Sequence, residues 1–293
     1  MVRIGVLTRN PNSWCSSKII EAIKELNAEA FPFYFSHIIA KIGFEDGIIA
    51  KGLNLYKALD SLIVRPIGRS SLDEAIFRLD ILYKLEREGL KIINPPKAIE
   101  RALDKFHTLC LLKENHIRVP KTYVTENPQL ALQGFKELNS DVVIKPIFGS
   151  RGLGITRIDD EETLRRLLNS LAFAHNVLYE QEFVPHDSKD IRLFVVSDEV
   201  IAGMLRVSDR WKTNISLGAK PLPFDPEEEL KELALKACKV IGCKVAGVDV
   251  MMGKDGYLIN ELNSQPGFRG LQSVSKVNIA KKIAEFAIRE AKR

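Results

Sequence analysis

Gly247–Gly270 reads GVDVMMGKDGYLINELNSQPGFRG, and the way its two apolar runs pair decides the fold. Glu261 and Asn263 stand two apart, so a strand turns both to one face. Setting Asp249 opposite Glu261 in an antiparallel pair puts Gly253 against Tyr257 and leaves Lys254-Asp255-Gly256 as a three-residue loop. A loop of that length favours a type I turn closed by a left-handed residue, a position glycine takes without steric cost. The register that gathers the carboxylates is thus also the one the turn chemistry favours. Asp249, Glu261 and Asn263 then present two carboxylates and an amide oxygen. This set suits a hard cation such as Mg²⁺, which keeps waters and shares phosphate oxygens. Lone carboxylates are expensive to bury on so apolar a strand, and a metal removes that problem. The alternative is a surface hairpin with solvated acids, but Val248, Leu258, Ile259 and Leu262 point to burial on both faces.

Upstream, Asp141–Pro146 (DVVIKP) reads as a strand that ends in Lys145, and Ile155–Ile158 reads as the next strand. Between them lies Phe148-Gly149-Ser150-Arg151-Gly152-Leu153-Gly154. Its glycines let backbone amides approach phosphates, and Lys145 at its root supplies a point charge. It is not a Walker loop, since no Gly-Lys-Ser/Thr closes it. A plain hairpin turn is the competing reading; the carboxylates downstream favour phosphate binding. Asn176–Val184 is a strand broken at Pro185, an exit that leaves backbone donors and acceptors for an adenine edge. Asp190–Val196 and Val200–Val207 form a hairpin about Ser197-Asp198-Glu199, with Arg192 on the face opposite Ile191 and Leu193. Trp211-Lys212-Thr213-Asn214 follows in a loop. Pro226 in the first turn and Glu227–Glu229 open a helix to Ile241, and an amphipathic helix starts at Asn278.

Towards the N-terminus, residues 2–7 (VRIGVL) read as a buried strand. Ser16-Ser17 cap a helix to Leu26, and the polar loop Thr8–Cys15 lies where open α/β sheets bind ligands. Strands at 59–64 and 90–94 flank a helix over 72–88, which predicts a small doubly wound unit ending near Pro95. Arg65, Arg69 and Arg78 either grip an anionic substrate there or are solvated. Pro95-Pro96 marks a boundary. A helix containing Asp104-Lys105 runs on to Glu114, and a linker covers Val119–Pro128. The expected division is 1–95, 96–184 and 185–293.

Composition excludes several classes. Among 293 residues, 45% are apolar and 28% charged, which is ordinary for a soluble globular protein. No window approaches the ~18 unbroken apolar residues of a membrane span, and the N-terminus shows no signal pattern. Cys15, Cys110, Cys238 and Cys243 lack Cys-x-x-Cys spacing, so free thiols in a cytoplasmic setting are expected. The net charge of +5 is spread along the chain; it fits small anionic substrates and gives no footing for nucleic acid. The histidines are scattered, and no Ser-His-Asp or Cys-His arrangement stands out.

Taken together, Asp104-Lys105, KPIFGSRGLGI, YEQEFV, DIRLFVV, WKTN, GVDVM and INELNSQPGFRGL resemble the ATP-grasp superfamily, in its branch of RimK-type α-L-glutamate ligases. The resemblance covers nearly the whole chain. It implies an α/β fold, α+β in its C-terminal part, with a doubly wound N-terminal subdomain and two subdomains enclosing ATP. It implies that Lys105 and Lys145 contact phosphates and that Gly149, Ser150, Arg151, Gly152 and Gly154 form a mobile lid. Glu182, Phe183 and Val184 would be the adenine hinge, and Asp190 would lie on the nucleotide side. Arg192, Lys212 and Asn214 would face the transferring phosphoryl and acyl groups. Asp249, Glu261 and Asn263 would hold Mg²⁺, two ions by analogy, with Mn²⁺ able to substitute. The family usually has Arg where Lys212 stands, and Lys keeps the charge but loses the bidentate geometry.

The implied reaction phosphorylates a carboxylate to an acyl phosphate that an amine then attacks, giving an amide, ADP and phosphate. The expected amine is L-glutamate and the expected acceptor a carboxylate-bearing coenzyme such as tetrahydromethanopterin. Alternatives are a deazaflavin coenzyme, a protein terminus or an amino-carrier protein. From other classes come a nucleotide-binding regulator without turnover and a kinase. The resemblance also implies a homodimer or homotetramer.

Overall fold

The computed structural model describes residues 1–68, 70–149 and 152–291. Its first sheet has four parallel strands in the order Glu29–Phe33, Arg3–Leu7, Ser61–Val64 and Lys91–Ile93. The chain leaves Arg3–Leu7 for one neighbour, then crosses back past it to the other, as the expected doubly wound unit requires. Glu29–Phe33 (EAFPF) has no strand periodicity to betray it, because Pro32 interrupts the run; an edge position tolerates that. The first helix begins earlier than Ser16-Ser17 would start it. It runs Trp14–Glu25 from an N-cap at Ser13, while Ser16 is buried against the hydroxyl of Thr8. Leu72–Arg87 opens on a capping box between Ser71 and Glu74.

Two further departures bear on the site. The helix expected to run through to Glu114 breaks at Asp104 into Pro96–Leu103 and Lys105–Glu114. Asp104 adopts extended dihedrals, and its carboxylate accepts from the His107 N–H, so it caps the second helix and puts Lys105 in the first turn. The expected linker contains the strand Thr122–Thr125. It completes an antiparallel sheet in the order Thr156–Ile158, Val142–Ile144, Leu178–Glu182 and Thr122–Thr125. Helices Pro128–Glu137 and Glu161–Phe173 cover one face over Val142, Ile144 and Leu178.

The third sheet has five strands, ordered Lys220–Phe224, Glu199–Val207, Lys189–Val196, Val245–Gly253 and Gly256–Asn263. One face buries Ile191, Leu193, Val248 and Leu262 against helix Glu228–Ile241 and the helices of 96–114. That helix has Glu227 at its N-cap, so Pro226 stands outside the first turn. The other face is divided. Its apolar half, with Phe194, Met204 and Val245, packs on Phe268 and the last helix, Ile279–Ala291. That helix lies in turn against the first helix and the first sheet. Its charged half faces a cleft beneath the second sheet. Asn94 joins the first and third sheets. Its amide nitrogen donates to Val245 O (2.7 Å) and Ser264 O (2.5 Å), and its oxygen accepts from the N–H groups of Lys244 and Val245. All four cysteines are free, and no described helix is long and apolar enough to cross a membrane.

Glu180 lies on the helix-covered face of the second sheet, fully buried, and neither of its oxygens has a partner. Burial pushes its carboxyl up to about 7. Between the usual glutamate value and that one, the folded chain holds a proton that the unfolded chain has lost, so stability falls as pH rises through this window. Thermal melts of Glu180→Gln and the parent protein are expected to coincide near about pH 5 and to separate by about pH 8, with the variant the more stable.

Candidate functional site

A cleft lies between the second and third sheets, and Lys105, Lys145, Asp190, Arg206, Asp249 and Glu261 are among the residues that line it. Its floor is a row of charges that strand alternation turns to one face. Asp190 pairs across the ladder with Arg206, Arg192 with Asp249, and Asp249 with Glu261. Arg206 donates from Nε to Asp190 Oδ1 at 2.7 Å and from Nη2 to the other oxygen, and the same Nη2 lies 3.0 Å from Asp249 Oδ2. Arg192 grips Asp249 with two bonds, Nη2 to Oδ2 at 2.7 Å and Nε to Oδ1. Arg206, Asp190 and Asp249 are all buried. Burial raises both acids, but Asp249, held by two arginines, ends below its ordinary value, while Asp190, held by one, stays above it. Burial pulls Arg206 down, yet Asp249 and Asp190 together hold it above the ordinary value.

The hairpin register places Asp249 opposite Glu261 as expected, but the loop differs. A bulge follows that pair: Val250 faces Ile259, Asn260 is the extra residue, and Gly253 faces Gly256, leaving Lys254-Asp255 as a two-residue turn. The bulge re-aims Asn260 into the cleft, where its Oδ1 accepts from Lys145 Nζ at 3.1 Å. Lys145 also donates to Gln181 Oε1 at 2.5 Å. Burial brings Lys145 down to about 8 against the raising pull of Glu261. Lys105 reaches the cleft from its helix start and donates to Gly149 O at 2.9 Å. It too is lowered by burial, with Glu261 opposing.

Above the floor, the glycine-rich loop meets the loop after Val207. Lys212 Nζ donates to Ile155 O at 2.6 Å. A Cβ on Gly152, which sits at φ +72°, would fall 2.4 Å from Asn214 Oδ1. Lys212 and Asn214 therefore stand against the lid, and Gly149, Gly152, Lys212 and Asn214 all line the cleft; Gly154 follows in the same turn at φ +73°. Ser150 and Arg151 lie outside the described residues. At the hinge, Glu182 N and Phe183 N donate to Lys121 O and Asp141 O, so those donors are taken. Val184 N has no hydrogen-bond partner among the described residues. The Phe183 ring is held between the Arg157 guanidinium at 3.5 Å and the edge of Trp211.

Arg192 and Asn263 do not line the cleft. Arg192 is drawn down onto Asp249, and Asn263 stands opposite Gly247 with a buried, unpartnered Nδ2. The metal-ligand expectation fits the donor set. Asp249 and Glu261 are directly opposed on one face, and Glu261 makes no hydrogen bond to a described residue in the cleft. Asn263 follows two residues on from Glu261. Among the described residues no third acid, histidine or cysteine joins them. Sequence reasoning missed Arg206, Gln181 and Asn260. The turn expected over Ser197–Glu199 pairs position 190 with 206; in the structure the turn is Ser197-Asp198, and an irregularity between Phe194 and Val195 restores that same pairing, so Arg206 was within reach and the bulge residue Asn260 was not.

A family model described as a RimK-like ATP-grasp domain matches residues 102–287. The chain is 39% identical over 251 residues to the tetrahydromethanopterin:alpha-L-glutamate ligase of Methanocaldococcus jannaschii, covering 82% of this chain and 84% of that protein. It is 40% identical over 212 residues to the alpha-aminoadipate–LysW ligase LysX of Sulfurisphaera tokodaii, covering 70% and 73%. Among solved structures, the ATP-grasp ligase PsnB complexed with a minimal precursor superposes with a TM-score of 0.79 at 20% identity over 99% of both chains.

Arg206→Met leaves two neighbouring buried aspartates without their shared cation. It is expected to lower stability by about 3–5 kcal/mol, read as a shift in the urea midpoint, and Asp190→Asn in the same chain is expected to recover part of the loss.

Proposed function

This chain belongs to the RimK-like ATP-grasp family, and from that premise we propose that it joins L-glutamate, through its amino group, to a carboxylate on a small coenzyme of the tetrahydromethanopterin kind. The observation that carries the reading is the cleft itself, with Lys105 and Lys145 at one end, Asp249 and Glu261 on the floor, and the glycine-rich loop as a roof. The similarity to the Methanocaldococcus jannaschii ligase supports the choice of amine and acceptor.

The carboxylate oxygen attacks the γ-phosphorus of ATP and ADP departs; the amine then attacks the acyl carbon and phosphate leaves. Lys105 and Lys145 offset charge on the phosphates. Val184 N is the hinge donor left for the adenine edge, beside the Phe183 ring. Asp249, Glu261 and Asn263 would hold Mg²⁺, which when bound neutralises the nucleotide phosphates; Mn²⁺, and a second ion, belong to the same proposal. Lys212 and Asn214 tie the lid down and exclude water from the acyl phosphate. Asp190 and Arg206 hold the floor in register, and Arg192, which grips Asp249, would face the transferring phosphoryl and acyl groups. Four free thiols support a cytoplasmic setting.

A second reading has support of its own: the similarity to LysX favours an amino-carrier protein as the partner. A coupled assay separates the two. ADP release is expected to require both L-glutamate and tetrahydromethanopterin, and Glu261→Gln, with an unchanged fold, is expected to lower it by about 100-fold. A mass increment on a carrier protein and none on the coenzyme would favour the second reading. Full activity in Glu261→Gln would remove that residue from the mechanism.

A further inference from the structure

The doubly wound sheet has a switch point that the phosphate chemistry does not use. The chain leaves Arg3–Leu7 first for Glu29–Phe33 and later for Ser61–Val64. The carboxyl ends of Arg3–Leu7 and Ser61–Val64 therefore flank the kind of position where open α/β sheets take ligands. Arg65 is the first residue beyond Val64. It is 5% exposed and its guanidinium lies 5.9 Å from the centre of the Phe268 ring; among the described residues its Nε has no hydrogen-bond partner, and Nη2 donates to Pro266 O at 3.1 Å. No carboxylate pairs with it among the described residues. Burial lowers its pKa. By contrast, Arg78 is occupied by Ile67 O and Glu74, and Arg69 lies outside the described residues.

One more buried donor stands on the segment that runs beside Arg65: Gln265 accepts from Ile67 N through Oε1 at 3.2 Å, but its Nε2 has no partner among the described residues. The switch point is bounded by interlocked loops: the Arg9 side chain lies across Gly68, where a Cβ would come within 2.4 Å. It also adjoins the charged floor. A Cβ on Gly247 would meet Arg192 Nη1 at 2.8 Å and Pro266 Cβ at 3.0 Å, so one residue separates the Arg65 contact from Arg192.

A buried guanidinium without an anion and a buried amide nitrogen without an acceptor are each unfavourable alone. An anion with several lone pairs offers both the acceptor they lack, and a planar two-oxygen group suits the guanidinium fork best, which points to a carboxylate. We propose that Arg65, with Gln265, forms a subsite for a substrate carboxylate that does not react, orienting its owner toward the acyl phosphate. The assignment rests on the ligase reading above. The carboxylate belongs either to the incoming amino acid or to the acceptor, and the two sources are separable.

Arg65→Met removes the charge and keeps the bulk. It gives up the Pro266 O bond and the approach to the Phe268 ring, but also a buried charge with no carboxylate beside it, so its melting midpoint is expected to stay close to that of the parent protein, with ADP affinity unchanged. KM for one substrate is expected to rise at least about tenfold, the scale of a charged hydrogen-bonded contact, and Arg65→Lys is expected to fall between. A rise for L-glutamate alone assigns the subsite to the amino acid, and a rise for the coenzyme alone assigns it to the acceptor. Unchanged KM for both, with a lowered midpoint, makes Arg65 structural and overturns the proposal. Should neither substrate be turned over, the ligase reading has failed separately. The subsite is then decided without turnover, by the thermal shift that glutarate, an amine-free dicarboxylate, gives the ADP-loaded protein. A shift in the parent that is absent in Arg65→Met supports the subsite; equal shifts, or none in either, overturn it.

Discussion

The structure depends on one guanidinium. Arg206 lies between Asp190 and Asp249 in the middle of the third sheet, and without it Asp190 would lose its counter-ion and Asp249 would keep only Arg192. Its position lets the sheet carry a charged floor on the face that, a few residues away, packs Phe194 and Met204 against the last helix. One surface thus serves as core and as site. The same arrangement ranks the acids: Asp249, between two arginines, stays ionised most readily, and Glu261 at the next strand is left open to the cleft. A buried ion network of this kind is weak support for stability in itself, which fits a role in holding charges in register for a polyanionic substrate.

The parts of the fold are arranged to close on that floor. The second sheet brings Lys145 and the glycine-rich loop down from one side, and the loop after Val207 meets it with Lys212 and Asn214. The last helix returns to the first sheet, and Asn94 binds that sheet to the third.

Much of this was legible in the sequence, for reasons of local physics. Alternation and index parity were enough to oppose Asp249 and Glu261, because both strands are apolar on either side of those acids. Parity failed where a bulge entered: Asn260 is an extra residue, and nothing in YLINELN marks it as such, so the turn shortened by one. The break at Asp104 was hidden by helix formers on both sides, and only its capping role explains the kink. Glu29–Phe33 and Lys220–Phe224 were invisible because each carries proline, which edge strands accept. The packing of Ile279–Ala291 on the first sheet joins residues far apart in the chain, and amphipathicity names a face without naming what covers it.

Whether a carboxylate passes through an acyl phosphate on this floor is read by oxygen tracing. With an acceptor whose carboxylate carries ¹⁸O, one labelled oxygen is expected to leave in inorganic phosphate for each amide formed, since that oxygen bridges carbon and phosphorus in the intermediate. Amide formation with all of the label absent from phosphate would contradict that route.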